Sequence, residues 1–116
     1  MLSIAEGRRI WLCTSPTDMR RSFDGLSAQV RRQLADDPSR GDWFVFINRR
    51  RTQLKILAYA EGGYCLWSKR LEQGQFALPW HADEIKQGLS RTALLALIEG
   101  IDMEVKRQRK RYKKAA

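Results

Sequence analysis

The chain has 116 residues, enough for one domain with a single core but not for two. Hydrophobic residues make up 43% of it, including four Trp, four Phe and three Tyr, which excludes an intrinsically disordered chain. Its formal charge of +9 is concentrated at one end: from Lys106 onward stand seven Lys/Arg and no acid, leaving fifteen basic against thirteen acidic residues elsewhere.

The reading is therefore a nearly neutral domain over residues 1–104 and a basic, flexible or frayed-helical tail over 105–116. No apolar run approaches the roughly 18 residues that span a bilayer. The N-terminal MLSIAEGRRIW holds no apolar segment behind a basic start. The expectation is a soluble, cytoplasmic protein with no membrane partner. Cys13 and Cys65 each lie in apolar stretches and read as buried free thiols, since two thiols alone make no zinc site.

In chain order, Arg9-Ile-Trp-Leu-Cys13 reads as a first strand, ended by Thr14-Ser-Pro16. From Ser22 to Ala35 the spacing turns helical, with Phe23, Leu26, Val30 and Leu34 on one face and Gln29, Arg31 and Arg32 elsewhere. Ser22 suits the N-cap and Asp24 the first turn; Asp36-Asp-Pro38 stops the helix. Three strands follow: Trp43 to Ile47, Leu54 to Ala60 and Tyr64 to Lys69. They are separated by turns at Asn48 to Thr52 and at Glu61-Gly-Gly63, where glycine supplies positive φ. Ser90 caps a last helix from Arg91 to Glu99, with Leu94, Leu95, Leu97 and Ile98 as its apolar stripe and Gly100 as its stop. The expected fold is a small α+β domain: an antiparallel β-meander with one helix after the first strand and one near the C-terminus.

Catalytic chemistry finds no constellation. His81, the one histidine, has no cysteine or second histidine near it in sequence. Glu61-Gly-Gly-Tyr64 lacks the lysine and following helix of a phosphate loop. The acids are scattered through turns and helix starts, where structural roles account for them. No catalytic residue, cofactor or metal is expected.

The cations are more informative. In a meander, Lys69 and Arg70 return to the sheet end that carries Arg49, Arg50 and Arg51. That clustering suits bidentate phosphate contact, and equally suits ordinary solvation and protection of a sheet edge. Arg20 and Arg21 precede a helix start, where the dipole disfavours cations; either an anion docks there or Asp18 and Asp24 neutralise them. The tail cations Lys106, Arg107, Arg109, Lys110, Arg111, Lys113 and Lys114 cannot pack together and would bind polyanions without sequence preference, with Tyr112 able to stack on a base.

Several ordered blocks carry a family resemblance. They are Thr17-Asp-Met-Arg-Arg-Ser-Phe-Asp-Gly-Leu26, Trp43-Phe-Val-Phe-Ile-Asn-Arg-Arg-Arg51, Leu54-Lys-Ile-Leu57, Leu66-Trp-Ser-Lys-Arg-Leu71, Gly74-Gln-Phe76 and Leu94-Leu-Ala-Leu-Ile-Glu-Gly-Ile-Asp102. Together they resemble the TnpB accessory proteins of the sixty-six family of bacterial insertion sequences, from about Arg8 to Asp102. The resemblance implies a non-catalytic protein that works alongside a separate transposase. Two readings follow. In one, the cations above bind the DNA of the element's ends and help assemble the transposase there. In the other, the two-faced apolar strand Trp43 to Ile47 docks the transposase, or a second copy, with no direct DNA role.

Overall fold

The computed structural model describes residues 7–78 and 83–100. Five strands, β1 (Ile10–Cys13), β2 (Trp43–Ile47), β3 (Gln53–Ala60), β4 (Gly63–Arg70) and β5 (Lys86–Leu89), form one sheet in the order β4-β3-β2-β1-β5. Helix α1 (Phe23–Arg32) lies on one face and helix α2 (Arg91–Glu99) on the other.

The β2-β3-β4 meander is antiparallel as expected, but the sheet as a whole is mixed. β1 runs parallel to β2, with Ile10 opposite Trp43 and Leu12 opposite Val45. A parallel pair needs a long crossover, and the connection that carries α1 supplies it. Strand β5 escapes sequence reading because Lys86-Gln-Gly-Leu89 has neither alternation nor an apolar run. Its place comes from antiparallel pairing with β1, Cys13 opposite Lys86 through Ile10 opposite Leu89.

Alternation along the strands splits the core in two. Ile10, Leu12, Trp43, Val45, Ile47, Leu54 and Ile56 pack with Leu94, Leu97 and Ile98 of α2. Cys13, Phe44, Phe46 and Leu57 pack with Leu26, Val30 and Leu34 of α1 and its exit. Every residue of β2 is thereby buried. This overturns the reading of Trp43–Ile47 as a docking strand: both faces are covered by the chain's own helices, as expected for a strand central to a two-sided sheet.

Helix α1 is shorter than its apolar pattern. It ends at Arg32, and Ala35 adopts φ +54°, so the chain turns before Asp36. Phe23 is 44% exposed, while Gln29, expected off the apolar face, is buried. Ser22 occupies the N-cap without a side-chain capping bond. Helix α2 matches its expected bounds: the Ser90 hydroxyl accepts from the Ala93 amide at 3.0 Å and Gly100 closes the helix in the left-handed region. Leu95 is exposed, so the stripe is Leu94, Leu97 and Ile98.

Asp36 and Asp37 both act structurally. Asp37 accepts from the Ser39 amide and so caps a single 3-10 turn, Pro38–Arg40. Asp36 accepts from Lys86 Nζ at 2.6 Å, tying the exit of α1 to β5. The same ammonium lies 4.3 Å from the Trp11 ring centroid. Cys13 is a buried free thiol; Cys65, expected buried, is only half-buried because β4 is an edge strand. His81 lies outside the described residues.

Candidate nucleic-acid interface

The loop Thr17 to Ser22 leads from β1 into α1 across the end of the sheet. Thr17 is buried; its amide donates to the Ile47 carbonyl at 2.9 Å and its hydroxyl accepts from Gln29 Nε2 at 2.9 Å. The other amide atom of Gln29, Oε1, accepts from Arg21 at 2.6 Å. Gln29 therefore links the loop to the helix interior, and its burial follows from that use. Arg21 also lies along Gly25: a Cβ on Gly25 would stand 3.1 Å from Arg21 Cβ and Cγ.

Arg20 folds back on Asp18. Its Nε donates to both carboxylate oxygens at 3.0 and 3.1 Å, Nη2 donates to one at 2.7 Å, and its amide donates to the carboxylate at 2.9 Å. These hydrogen bonds, side chain first and then backbone, hold the Asp18 carboxyl well below the usual carboxylate range. The arginine side chain remains 91% exposed. Of the two acids expected to offset the pair, Asp18 serves Arg20, while Arg21 turns to Gln29 and not to Asp24.

Lys55 completes this corner. It sits on β3, on the α1 face, and its ammonium donates to the carbonyls of Met19 at 2.9 Å and Arg21 at 2.7 Å. Sequence reading missed it. The available signal was a lysine between Leu54 and Ile56 in a strand whose other face is apolar, so that its charge must find acceptors nearby.

The Asn48 to Thr52 turn stands at the same end. Asn48 Oδ1 accepts from the amides of Thr52 at 2.9 Å and Gln53 at 3.0 Å, and Arg51 takes φ +60°. The Arg51 carbonyl accepts from the Phe76 amide at 2.7 Å, and the Arg50 carbonyl accepts from Gln75 Nε2 at 2.9 Å. The turn is thus fixed from two sides while its guanidinium groups face solvent. Arg70 pairs with Gln53 across the β3–β4 ladder, two residues along from Lys55 and on its face. Arg49, Arg50, Arg51 and Arg70 are all exposed, and none is in an ion pair among the described residues. Arg49 and Arg51 also line a groove of about 320 Å³ with Pro16, Asn48 and Leu78.

Lys69 reaches the expected sheet end but points to the opposite face. It is half-buried, and its ammonium donates to the Ile98 carbonyl in the last turn of α2 at 2.8 Å. That hydrogen bond complements the negative end of the helix, and leaves Lys69 partly spent. It also fixes where the described chain stops: α2 ends beside Lys69, so Gly100 lies at the arginine-bearing end of the sheet. Lys106, Arg107, Arg109, Lys110, Arg111, Lys113 and Lys114 lie outside the described residues. Among the described residues, no three His, Cys, Asp or Glu side chains are grouped to hold a metal.

Comparison with known proteins gives a consistent answer. Residues 8–108 match a family model described as IS66 Orf2 like protein. Two proteins of Sinorhizobium fredii (strain NBRC 101917 / NGR234) are similar over nearly their whole length. Uncharacterized protein y4hO is 36% identical over 102 residues, 88% of each chain. Uncharacterized protein y4jC is 36% identical over 105 residues, 88% of this chain and 86% of its own. No solved structure matches the chain.

Proposed function

The chain belongs to the IS66 Orf2-like family and is thus an insertion-sequence-associated accessory protein of transposition; from that premise we propose that it acts by holding the DNA of the element's ends through its phosphates while a separate transposase is assembled there. The supporting observation is the sheet end that gathers Arg49, Arg50, Arg51 and Arg70, exposed and outside any ion pair among the described residues. Arginine forks suit phosphate oxygens. The turn that carries three of them is braced by Asn48, Gln75 and Phe76, so little order has to be imposed on binding.

Helix α2 ends on the same side. Gly100 sits beside Lys69, and the seven cations from Lys106 onward need bridge only a few residues to reach a duplex on the arginine turn. Arg21 adds a further cation on the α1 face. Arg20 contributes least, because Asp18 already neutralises it. Phosphate contacts of this kind position a protein on DNA and read little sequence. The site of action is cytoplasmic, at the nucleoid when DNA is bound. As in its family, the chain's part is accessory, and bond chemistry belongs to the transposase.

Titration of the full chain against element-end duplex at several salt concentrations tests this. If the tail engages five to seven phosphates, it should contribute about −4.5 to −6 to the slope of log K against log salt, and the arginine turn should steepen it further. Binding too weak to measure at low salt would refute the DNA reading and leave only family membership standing.

A further inference from the structure

The two edges of the sheet are not equivalent. β5 is four residues long and carries Lys86 and Gly88. β4 is eight residues long, pairs with β3 without a bulge from Arg70 to Gly63, and has no strand on its outer side among the described residues. From Gly63 to Ser68 it holds no charge and no proline. Such an edge lacks the devices by which proteins prevent strand addition, which is expected where addition is wanted.

The β3–β4 hairpin fixes which groups face outward. Its two-residue loop, Glu61-Gly62, has positive φ at both positions, so Ala60 and Gly63 form the closing hydrogen-bonded pair. Hydrogen bonding to β3 then recurs at Cys65, Trp67 and Lys69, and the Leu71 amide donates to the Thr52 carbonyl at 2.8 Å in the same phase. The backbone groups of Tyr64, Leu66, Ser68 and Arg70 are left pointing out of the sheet.

We propose that this edge binds a second copy of the chain, β4 against β4, antiparallel about a two-fold axis through Cys65. Outward-facing residues must meet outward-facing residues, which limits the register to steps of two. The register centred on Cys65 sets Tyr64 against the partner's Leu66 and Trp67 over the partner's Gly63. A Cβ on Gly63 would find no heavy atom within 4 Å, so an indole has room there. It also brings Lys69 to the partner's Glu61, joining the basic and acidic ends of the strand twice by symmetry. The next register, centred on Leu66, puts Lys69 against the partner's Gly63 and forgoes that pairing. An isologous interface of this kind is self-complementary by construction. It does not rest on the DNA reading.

The register has a chemical signature. The two Cys65 residues occupy a non-hydrogen-bonded pair, where Cα atoms approach to about 4.5 Å, within the span of a disulfide. Cys13 is buried and does not compete. The full chain should sediment at twice the chain mass. Copper-phenanthroline oxidation, which takes two electrons and two protons from the paired thiols, should give a covalent dimer that is absent in C65S while the non-covalent dimer remains. S68P, which removes an outward N–H and no β3 bond, should halve the mass. In the double variant C65S/S68C the new thiol faces the partner's Gly62 and should cross-link poorly. A chain monomeric at every concentration, a dimer without the Cys65 cross-link, or efficient cross-linking at position 68 would overturn the proposal. So would a monomer that takes up the transposase along β4. If S68P fails to fold, the mass and the Cys65 cross-link of the unaltered chain decide.

Discussion

Asp36 and Lys86 show what single residues contribute to this fold. The ion pair spans the sheet edge, with both side chains about one-fifth exposed. Burial pushes the Asp36 carboxyl up, but the Lys86 hydrogen bond and the Asp37 amide together outweigh it, and the net shift is downward. A carboxyl lowered by folding stabilises the native state above its unfolded value near 3.9, and that contribution fades as pH falls through the lowered folded value. Asp36→Asn should therefore cost about 1 kcal/mol at pH 7. In urea melts the gap between variant and parent should close as pH drops below the ordinary carboxylate range. A gap independent of pH would show that packing, and not charge, is what the substitution removes. At the loop, Gln29→Ala should cost about 1–3 kcal/mol in the same melts, because it strips partners from buried Thr17 and from Arg21 together.

At the scale of elements, the central strand decides between two ideas about the aromatic residues. A strand apolar on both faces is compatible with an uncovered docking surface or with a helix on each side, and the sequence holds nothing that separates them. Leu94, Leu97 and Ile98 close the face of Trp43, Val45 and Ile47, while Leu26, Val30 and Leu34 close the other, so Phe44 and Phe46 are core residues with no exposure. Phe46→Ala should consequently cost about 3–5 kcal/mol in denaturant melts. A variant that unfolds with parental stability yet no longer holds a binding partner would restore the docking idea. The legible elements were those with strong local signals: α2 with its Ser90 cap and Gly100 stop, and the β2-β3-β4 meander with its turn residues. The illegible ones depend on partners distant in sequence. β5 is held by β1, more than seventy residues away at Leu89 and Ile10, and the parallel β1–β2 pair has no local mark at all. The same distinction divides the candidate site. That Arg70 returns to the arginine turn follows from meander geometry, whereas the diversion of Lys69 to Ile98 depends on where α2 ends.

For the whole molecule, the question is how a nearly neutral fold and an acid-free tail share one polyanion. The arginine turn stands at the sheet end where α2 reaches Gly100, so the fold and the tail should meet the same stretch of duplex, and salt dependence separates them. Each phosphate that the protein no longer neutralises should reduce the slope of log K against log salt by about 0.9 on duplex DNA. Replacing Arg49, Arg50 and Arg51 by Ala should flatten it by up to about 2.7, with stability unchanged because their side chains are exposed. A chain ending at Asp102 lacks all seven tail cations and should flatten it by as much as about 6. If the truncated chain keeps a measurable slope that the triple substitution then abolishes, the folded domain binds DNA in its own right and the tail extends its reach. Complete loss of binding on truncation alone would make the tail the sole DNA element. The braced arginine turn would then need another anionic partner to explain four exposed guanidinium groups held at one edge.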